Sequence, residues 1–378
     1  MSRSNFFIFC LLFFTASFGV AAMAALIPQV AEYFDVAPDY AIKLTWLYML
    51  PYGIIALLWA PLTRIIQIKS LFLLSTLGFS VSSFLFSLSS SINFAFVFRF
   101  FMGVFGCSFV PLTLITISKV VPAKDKTKHI GILFGTASIS TLVSVFLSGF
   151  LNWRTVYLIP AFLSLFVFLF VLTHMDCFDF RKSGLKISYL STLRDKETVY
   201  FLAIIAAGSF LYHSLQQRLG VYLSQGFYLE QMAISMVFTA ATLSAIVCEF
   251  LGGFLGQRVG LVKVARSGFM LMCAFSLLLL FTKSYKLILF LIVLWGSGWA
   301  LTHVGLSSHL AHFPDRLMRD ASSLNSSLRF SFGGLGAFCG GIIAAQGFKI
   351  LFLSVFLGLL SLGFCLPRLL KSERSALS

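Results

Sequence analysis

The sequence predicts an all-α polytopic membrane protein with twelve transmembrane helices in two pseudo-symmetric six-helix bundles. Three observations predict it. Of 378 residues, 59% are apolar and only 11% charged, against roughly 25% charged in a soluble domain. The mean hydropathy of +0.96 leaves too little polar surface to cover a water-facing exterior, so lipid is the solvent for most of the chain. Finally, apolar runs of about 18 or more residues recur twelve times along the chain.

The first run, 6–27, is followed by small residues at Ala21, Ala22, Ala24 and Ala25, but it is long for the apolar core of a leader. It is expected as a retained span, with its exit at Leu26-Ile27-Pro28. The second run is 44–62, carrying Trp46, Tyr48 and Tyr52. The third is 70–90, the fourth 93–117 with Arg99 inside it, and the fifth and sixth are 130–150 and 155–173. Residues 1–173 are thus the expected first bundle. A polar, charged stretch at 174–197 is the expected linker, and within it 185–194 places apolar residues among basic ones in the pattern of a short helix on the membrane surface. The second bundle, 198–370, comprises runs at 198–219, 233–254, 264–282, 286–311, 322–345 and 348–370, followed by a tail at 371–378.

Charge orients these spans. With the N-terminus placed in the cytoplasm, twenty of the 28 Lys and Arg residues fall inside, six outside (Lys43, Arg154, Arg218, Lys283, Lys286 and Lys349) and two, Arg99 and Arg329, within spans. That asymmetry is the positive-inside pattern. It makes the net charge of +15 an orientation signal, with no nucleic-acid partner implied, and it puts both termini in the cytoplasm of an inner (plasma) membrane protein. The seven cysteines form no CxxC or Cys/His cluster, so neither a disulfide framework nor a metal site is indicated.

The two halves repeat. Ala60-Pro61-Leu62 aligns with Gly253-Phe254-Leu255, and Phe34 with Phe227, both 193 residues on; Pro122 aligns with Pro314, and Gly149 with Gly341, both 192 on. A parallel duplication of six helices is a transporter architecture, with solute handled between the halves. Gly252-Gly253-Phe254-Leu255-Gly256-Gln257-Arg258-Val259-Gly260 resembles the loop signature Gly-x-Leu-x-Asp-Arg-x-Gly of the major facilitator superfamily, with Gln257 in place of the acid. The first-half copy around Arg64 is more degenerate. Arg99-Phe100-Phe101-Met102-Gly103 resembles the family's helix-4 Arg-x-x-x-Gly motif, and Asn152-Trp153-Arg154 its turn between spans 5 and 6. Within the superfamily the chain looks most like twelve-span drug:proton antiporters and sugar-efflux relatives. The resemblance implies gating-loop roles for Arg64, Gly253, Arg258 and Gly260, contacts between the halves at Gly131/Gly135, Gly252/Gly256 and Gly336/Gly340, where plain helix packing is the other reading, and a cavity-facing Arg99. A structural donor to neighbouring carbonyls is the other reading of that arginine.

Ionisable residues inside spans each cost about 2.5–3.5 kcal/mol on insertion scales and so pair or face a cavity. Glu249 is the only carboxylate well inside a span. Desolvated there, it suits proton uptake and release, or else a fixed ion pair with Arg329 or His309. His213 and His303 are further proton-coupling candidates, or else satisfied hydrogen-bonding residues. Gln216 and Gln217 offer polar contacts, but adjacent residues point about 100° apart, so one of them is expected to face the cavity. Trp295 and Trp299, at i, i+4, lie on one helical face and form either an aromatic wall for a ligand or plain packing. Arg99 and Arg329 against Glu249 make the cavity lean positive, which favours an anionic or neutral polar solute.

These features predict a monomeric secondary transporter that moves a small organic solute by alternating access, driven by protons, without cofactor or metal. No GxxxxGK[ST] loop is present to use ATP. No HExxH or paired-aspartate set points to an enzyme. A transporter-like receptor or scaffold is the alternative, since both loop motifs are degenerate.

Overall fold

The computed structural model describes residues 2–176, 189–282, 284–310 and 313–370. In chain order the helices are α1 (Arg3–Tyr33), α2 (Pro38–Ala41), α3 (Lys43–Leu62), α4 (Ile68–Ser87), α5 (Ile92–Gly106), α6 (Phe109–Val120), α7 (Ala123–Leu147), α8 (Trp153–His174), α9 (Tyr189–Thr192), α10 (Lys196–Phe227), α11 (Gln231–Val259), α12 (Leu261–Phe281), α13 (Tyr285–His309), α14 (Asp315–Ala344) and α15 (Phe348–Leu369). Counting α2 with α3 and α5 with α6 as single passes, twelve segments among the described residues are long and apolar enough to cross a membrane.

Local chemistry sets where helices begin. The side chains of Ser2, Ser91, Asn152 and Asp195 each accept a hydrogen bond from the backbone N–H three residues on, satisfying a donor that the first helical turn leaves open. Gly260, at φ 95°, makes the turn between α11 and α12, and Gly347, at φ 123°, precedes α15. Side chains rarely adopt such backbone angles.

Three helix limits differ from the expected ones. The first span continues past Pro28 to Tyr33. Proline removes one backbone hydrogen bond, and burial of Val30 and Ala31 carries the helix on until Asp35 turns left-handed at φ 50°. The fourth span is split at Cys107-Ser108, where Pro111 has no N–H to offer the Cys107 carbonyl. The seventh extends to Phe227 because Leu219, Val221 and Leu223 beyond its polar patch are buried. That extension corrects the placement of Arg218 among the outer charges. It is 2% exposed, and its Nη2 donates to the Ala337 carbonyl of α14 at 3.5 Å.

The chain divides into two compact units, Met1–Ile187 and Ser188–Ser378. Of the expected 174–197 linker and its 185–194 surface helix, residues 177–188 lie outside the described residues, as does the 371–378 tail. Tyr189–Thr192 forms the one-turn helix α9, which packs on α14, with the Tyr189 phenol bonded to Ser323.

In the first unit α1 packs on α7 and α8, α4 on α8 and α5, and α3 on α5. Hydroxyls stitch these helices: Ser80 and Ser83 of α4 donate to the carbonyls of Ala161 and Tyr157, and Ser164 of α8 donates back to Thr76, all at 2.8 Å. The Tyr157 hydroxyl donates to Gly19 of α1 at 2.7 Å. Apolar contact gains nothing over lipid, so side-chain hydrogen bonds and close packing hold such helices. At one end, Asn5 Nδ2 donates to Asp176 at 2.6 Å and Lys69 Nζ to the Met175 carbonyl at 2.9 Å. At the other, Trp153 N–H donates to Gln29 at 2.7 Å, and Arg154 reaches the Ser89 carbonyl at 2.9 Å while lying over Tyr33.

In the second unit α10 packs on α14, α12 on α13 and α15, and α11 on α13. Here glycine does much of the work. A Cβ at Gly336 or Gly340 would strike the backbone carbonyl of Phe210 or Ser214 in α10, and one at Gly268 or Gly305 the backbone of the partner helix in the α12–α13 pair. The duplication is visible in the same contacts. Gly103 of α5 rests on the Tyr48 carbonyl of α3, and Gly296 of α13, 193 residues later, rests on the Ala241 carbonyl of α11, itself 193 residues after Tyr48.

Gly103→Val and Gly296→Val are expected each to lower the thermal unfolding midpoint in detergent, since overpacking a close contact costs about 1–3 kcal/mol. Gly131→Ala and Gly135→Ala, where an added Cβ meets nothing within 4 Å, are expected not to lower it.

Candidate functional site

The site is built on one stripe of α13. Trp295, Trp299 and His303 succeed one another at i, i+4, and Tyr212 of α10 lies stacked against both indoles, at 5.2 Å and 14° from Trp295 and 4.2 Å and 10° from Trp299. Trp295 is fully buried, and its indole N–H donates to Gln216 Oε1 at 2.8 Å. Trp299 is part-exposed, and its ring runs nearly parallel to His303, 15° between planes at 6.4 Å. The Trp pair is thus split in role, with Trp295 and Gln216 engaged with each other and Trp299 at an open surface.

His303 stands between two charges. Its Nδ1 lies 3.7 Å from Glu249 Oε1 of α11, and its Nε2 bonds to Arg329 Nη1 of α14. Arginine only donates, so Nε2 accepts, and the proton of the neutral ring sits on Nδ1, toward the carboxylate. The register of α11 and α13 brings these groups together. The two helices touch at Gly296 on Ala241, at a 2.6 Å hydrogen bond between Ser244 and Ser297, and at Gly252 against Val304, so Glu249, three residues before Gly252, meets His303, one residue before Val304. The fixed pairing expected of Glu249 with Arg329 or His309 is therefore corrected: the histidine facing it is His303, placed between Glu249 and Arg329. His309 is buried against Phe201 and Phe313.

Beside this trio is a narrow recess of about 20 Å³, lined among others by Phe269, Trp299, Thr302, His303, Asn325 and Arg329. Asn325 is one turn before Arg329 on α14, so both occupy one face. His213 borders the Tyr212–Trp299 stack at 6.0 Å from Trp299 and shares a 3.1 Å hydrogen bond with Gln217. Neither glutamine lines the recess.

Arg99 is elsewhere, in the first unit. It is 1% exposed. Its Nε donates to the Leu44 carbonyl at 3.1 Å, and its guanidinium lies over Tyr48, Tyr157 and Phe86 at 4.5, 5.2 and 5.5 Å. One turn on, Gly103 touches Tyr48. The Arg-x-x-x-Gly spacing thus docks α5 on two successive turns of α3, and the ring faces stabilise the buried cation.

In the expected gating loop, Arg258 is exposed and lies over Phe254 at 4.3 Å, Gly260 makes the positive-φ turn, and a Cβ at Gly253 would meet nothing within 4 Å. Arg64 is exposed in the turn after α3. Gly336 and Gly340 are occupied by α10, and Gly252 by α13, within the second unit.

Sequence reasoning missed Tyr212, Asn325 and Phe269. Asn325 carried a signal: it falls among the serines opening span 11, the least apolar of the twelve segments. Tyr212 and Phe269 carried none, being aromatic residues in aromatic-rich runs.

Comparison with known proteins agrees with this architecture. A sequence model describing the Major Facilitator Superfamily matches residues 9–337. The chain is 24% identical over 277 residues to the uncharacterized MFS-type transporter YceJ of Bacillus subtilis (strain 168), covering 70% of each chain. Among solved structures, it is similar to the nucleoside transporter NupG (TM-score 0.80, 12% identity, 97% of this chain and 100% of that one). It also resembles a D-xylose–proton symporter (TM-score 0.77, 11% identity, 95% of this chain and 96% of that one). Twelve spans, glycine contacts duplicated between the halves, and a family match over most of its length make this chain a member of the Major Facilitator Superfamily, and so a membrane transporter.

Proposed function

We propose that the protein is a secondary active transporter that moves a small organic solute by alternating access of bundles 1–173 and 198–370, coupled to protons at Glu249 and His303. The observation that carries this reading is the Glu249–His303–Arg329 set. Its chemistry links protonation to the freedom of a cation. With the ring neutral, Nε2 accepts from Arg329. A second proton on His303 turns Nε2 into a donor, which can no longer hold a guanidinium. A proton arriving on His303 therefore breaks its hydrogen bond with Arg329, and a proton leaving restores it. A solute that binds Arg329 is favoured in the protonated state, and by linkage the solute favours protonation in return.

The concentration of cationic residues in alternate loops supports an inner-membrane location with both termini cytoplasmic. The chain acts as a monomer and takes no nucleic acid.

Purified protein in proteoliposomes with an imposed pH gradient, assayed with radiolabelled anionic, neutral and cationic solutes, is expected to accumulate a solute from at least one set. Accumulation should collapse on adding an uncoupler. Glu249→Gln is expected to abolish gradient-driven accumulation while keeping counterflow exchange; normal accumulation by this variant would make Glu249 structural and move the proton site to His213 or His303. Ligand binding without flux of any solute would identify a receptor instead. For topology, a C-terminal fluorescent-protein fusion is expected to be bright and a C-terminal alkaline phosphatase fusion inactive, the outcome for a cytoplasmic terminus.

A further inference from the structure

We propose that the recess bordered by Thr302, His303 and Asn325 binds one ordered water, which carries the coupling proton between His303 Nε2 and the cytoplasmic side of the membrane. Size is the first argument. At about 20 Å³ the recess exceeds the roughly 10–15 Å³ that a single water needs. It leaves no room for an organic solute.

The polar lining is the second. Asn325 of α14 is 9% exposed and lines the recess, and its amide makes no hydrogen bond to protein among the described residues. A carboxamide so buried is costly unless it is bonded, and a water in the recess bonds it. Thr302 of α13 spends its hydroxyl proton on the Ala265 carbonyl of α12 at 3.4 Å and keeps lone pairs to accept from the water. Ser307 of α13 lines the recess as well, giving a water the roughly two to four polar partners it needs. Ile204 and Phe269 supply apolar wall. Arg329 also borders the recess, but it is already bonded to His303, and the site asks nothing further of it.

Position is the third. His303 presents Nδ1 to Glu249 of α11 and Nε2 to Arg329 of α14. Among the described residues the recess is lined by α14 and not by α11, which puts it on the Nε2 side of the ring. Ser307 lies one turn after His303 on α13, and Asn325 one turn before Arg329 on α14. In the proposed topology α13 runs inward and α14 outward, so both residues are on the cytoplasmic side of the His303–Arg329 bond.

The transfer needs water as its sole co-reactant. When the doubly protonated ring of His303 discharges, the Nε2–H bond breaks, its electron pair stays on nitrogen, and the proton forms a third O–H bond on the recess water. That hydronium gives one of its protons to solvent on the cytoplasmic side, and Nε2 again accepts from Arg329. Uptake runs the same steps in reverse. Asn325 exchanges no proton; it is a positioning residue that holds the water. The titratable and charged groups facing this point are Glu249 on α11, Arg329 on α14 and His213 on α10, whose ring feels the Arg329 charge. From α12 the recess is lined by Phe269, which is uncharged.

The inference rests on the reading of His303 as a coupling group, and measurements on the full chain in detergent separate the two. A crystal structure that shows ordered water is expected to hold one within about 3.2 Å of both the Asn325 amide and the Thr302 hydroxyl. Infrared difference spectra between pH of about 8 and about 6, a range in which histidine titrates, are expected to contain a water O–H stretching band that moves when heavy-oxygen water replaces ordinary water. After a rapid pH jump over the same range, the fluorescence of Trp299, whose ring runs nearly parallel to His303, reports the protonation rate, with Trp299→Phe identifying its signal. Asn325→Leu, similar in size and without a polar group, is expected to remove the infrared band and slow the fluorescence change at least about tenfold while keeping its amplitude. Asn325→Ser, which keeps a hydrogen-bonding group, is expected to relax at close to the original rate. Because the crystal and heavy-oxygen measurements use the unmodified protein, they decide the matter even if a variant fails to fold. No water at this position, no band that moves with heavy oxygen, or an unslowed Asn325→Leu would overturn the proposal. A water there with a heavy-oxygen band but without proton-driven flux would overturn the transport reading and leave the water assignment standing; proton-driven flux without the water would do the reverse.

Discussion

The structure depends on helices approaching closely enough for backbone to touch backbone. In lipid there is no hydrophobic gain in bringing apolar helices together, so association rests on packing, side-chain hydrogen bonds and small residues at the contact. Gly103 on the Tyr48 carbonyl and Gly296 on the Ala241 carbonyl set the separation and register of α3 with α5 and of α11 with α13. From the second contact the helices run on side by side through Ser244–Ser297 to Gly252–Val304, and that register brings Glu249 opposite His303. A side chain at Gly296 would push the helices apart, and with them the two groups on which the proposed proton coupling relies.

The two units use this device for different ends. In the first, the Arg99-x-x-x-Gly103 turn spends its cation internally, on the Leu44 carbonyl and three aromatic faces, so a charge costly to insert becomes a clamp between α3 and α5. In the second, the cation at Arg329 is shared with a histidine whose acceptor nitrogen disappears on protonation. A clamp holds under all conditions; a histidine bond holds conditionally. That difference, more than the number of charges in each half, distinguishes scaffold from candidate site.

Much of this was legible in the residues. Apolar runs located all twelve segments, because lipid imposes length and composition on any spanning helix, and the 192–193 offset anticipated the paired glycine contacts. Glu249, His303 and Arg329 stood out individually because polar groups inside spans are costly, and Trp299 by its i, i+4 spacing from Trp295. Their partnership did not. Glu249 was paired in expectation with Arg329 or His309 by depth alone, and depth cannot say which face of a helix a residue occupies. Trp295 and Trp299 looked equivalent by spacing, yet Gln216 and Tyr212 of α10 bury the first and leave the second at the recess. Arg218 looked like an outer charge because its polar neighbours seemed to end the span, whereas downstream burial carries α10 onward.

By itself the sequence determined the solvent, the number and order of the helices, and the duplication, since these follow from composition and period along one dimension. Only the tertiary structure decided which intramembrane charges meet, which tryptophan reaches the recess and where that recess opens. Those outcomes depend on the rotation and register of helices from distant parts of the chain, set by a few glycine and hydroxyl contacts whose partners no local pattern specifies.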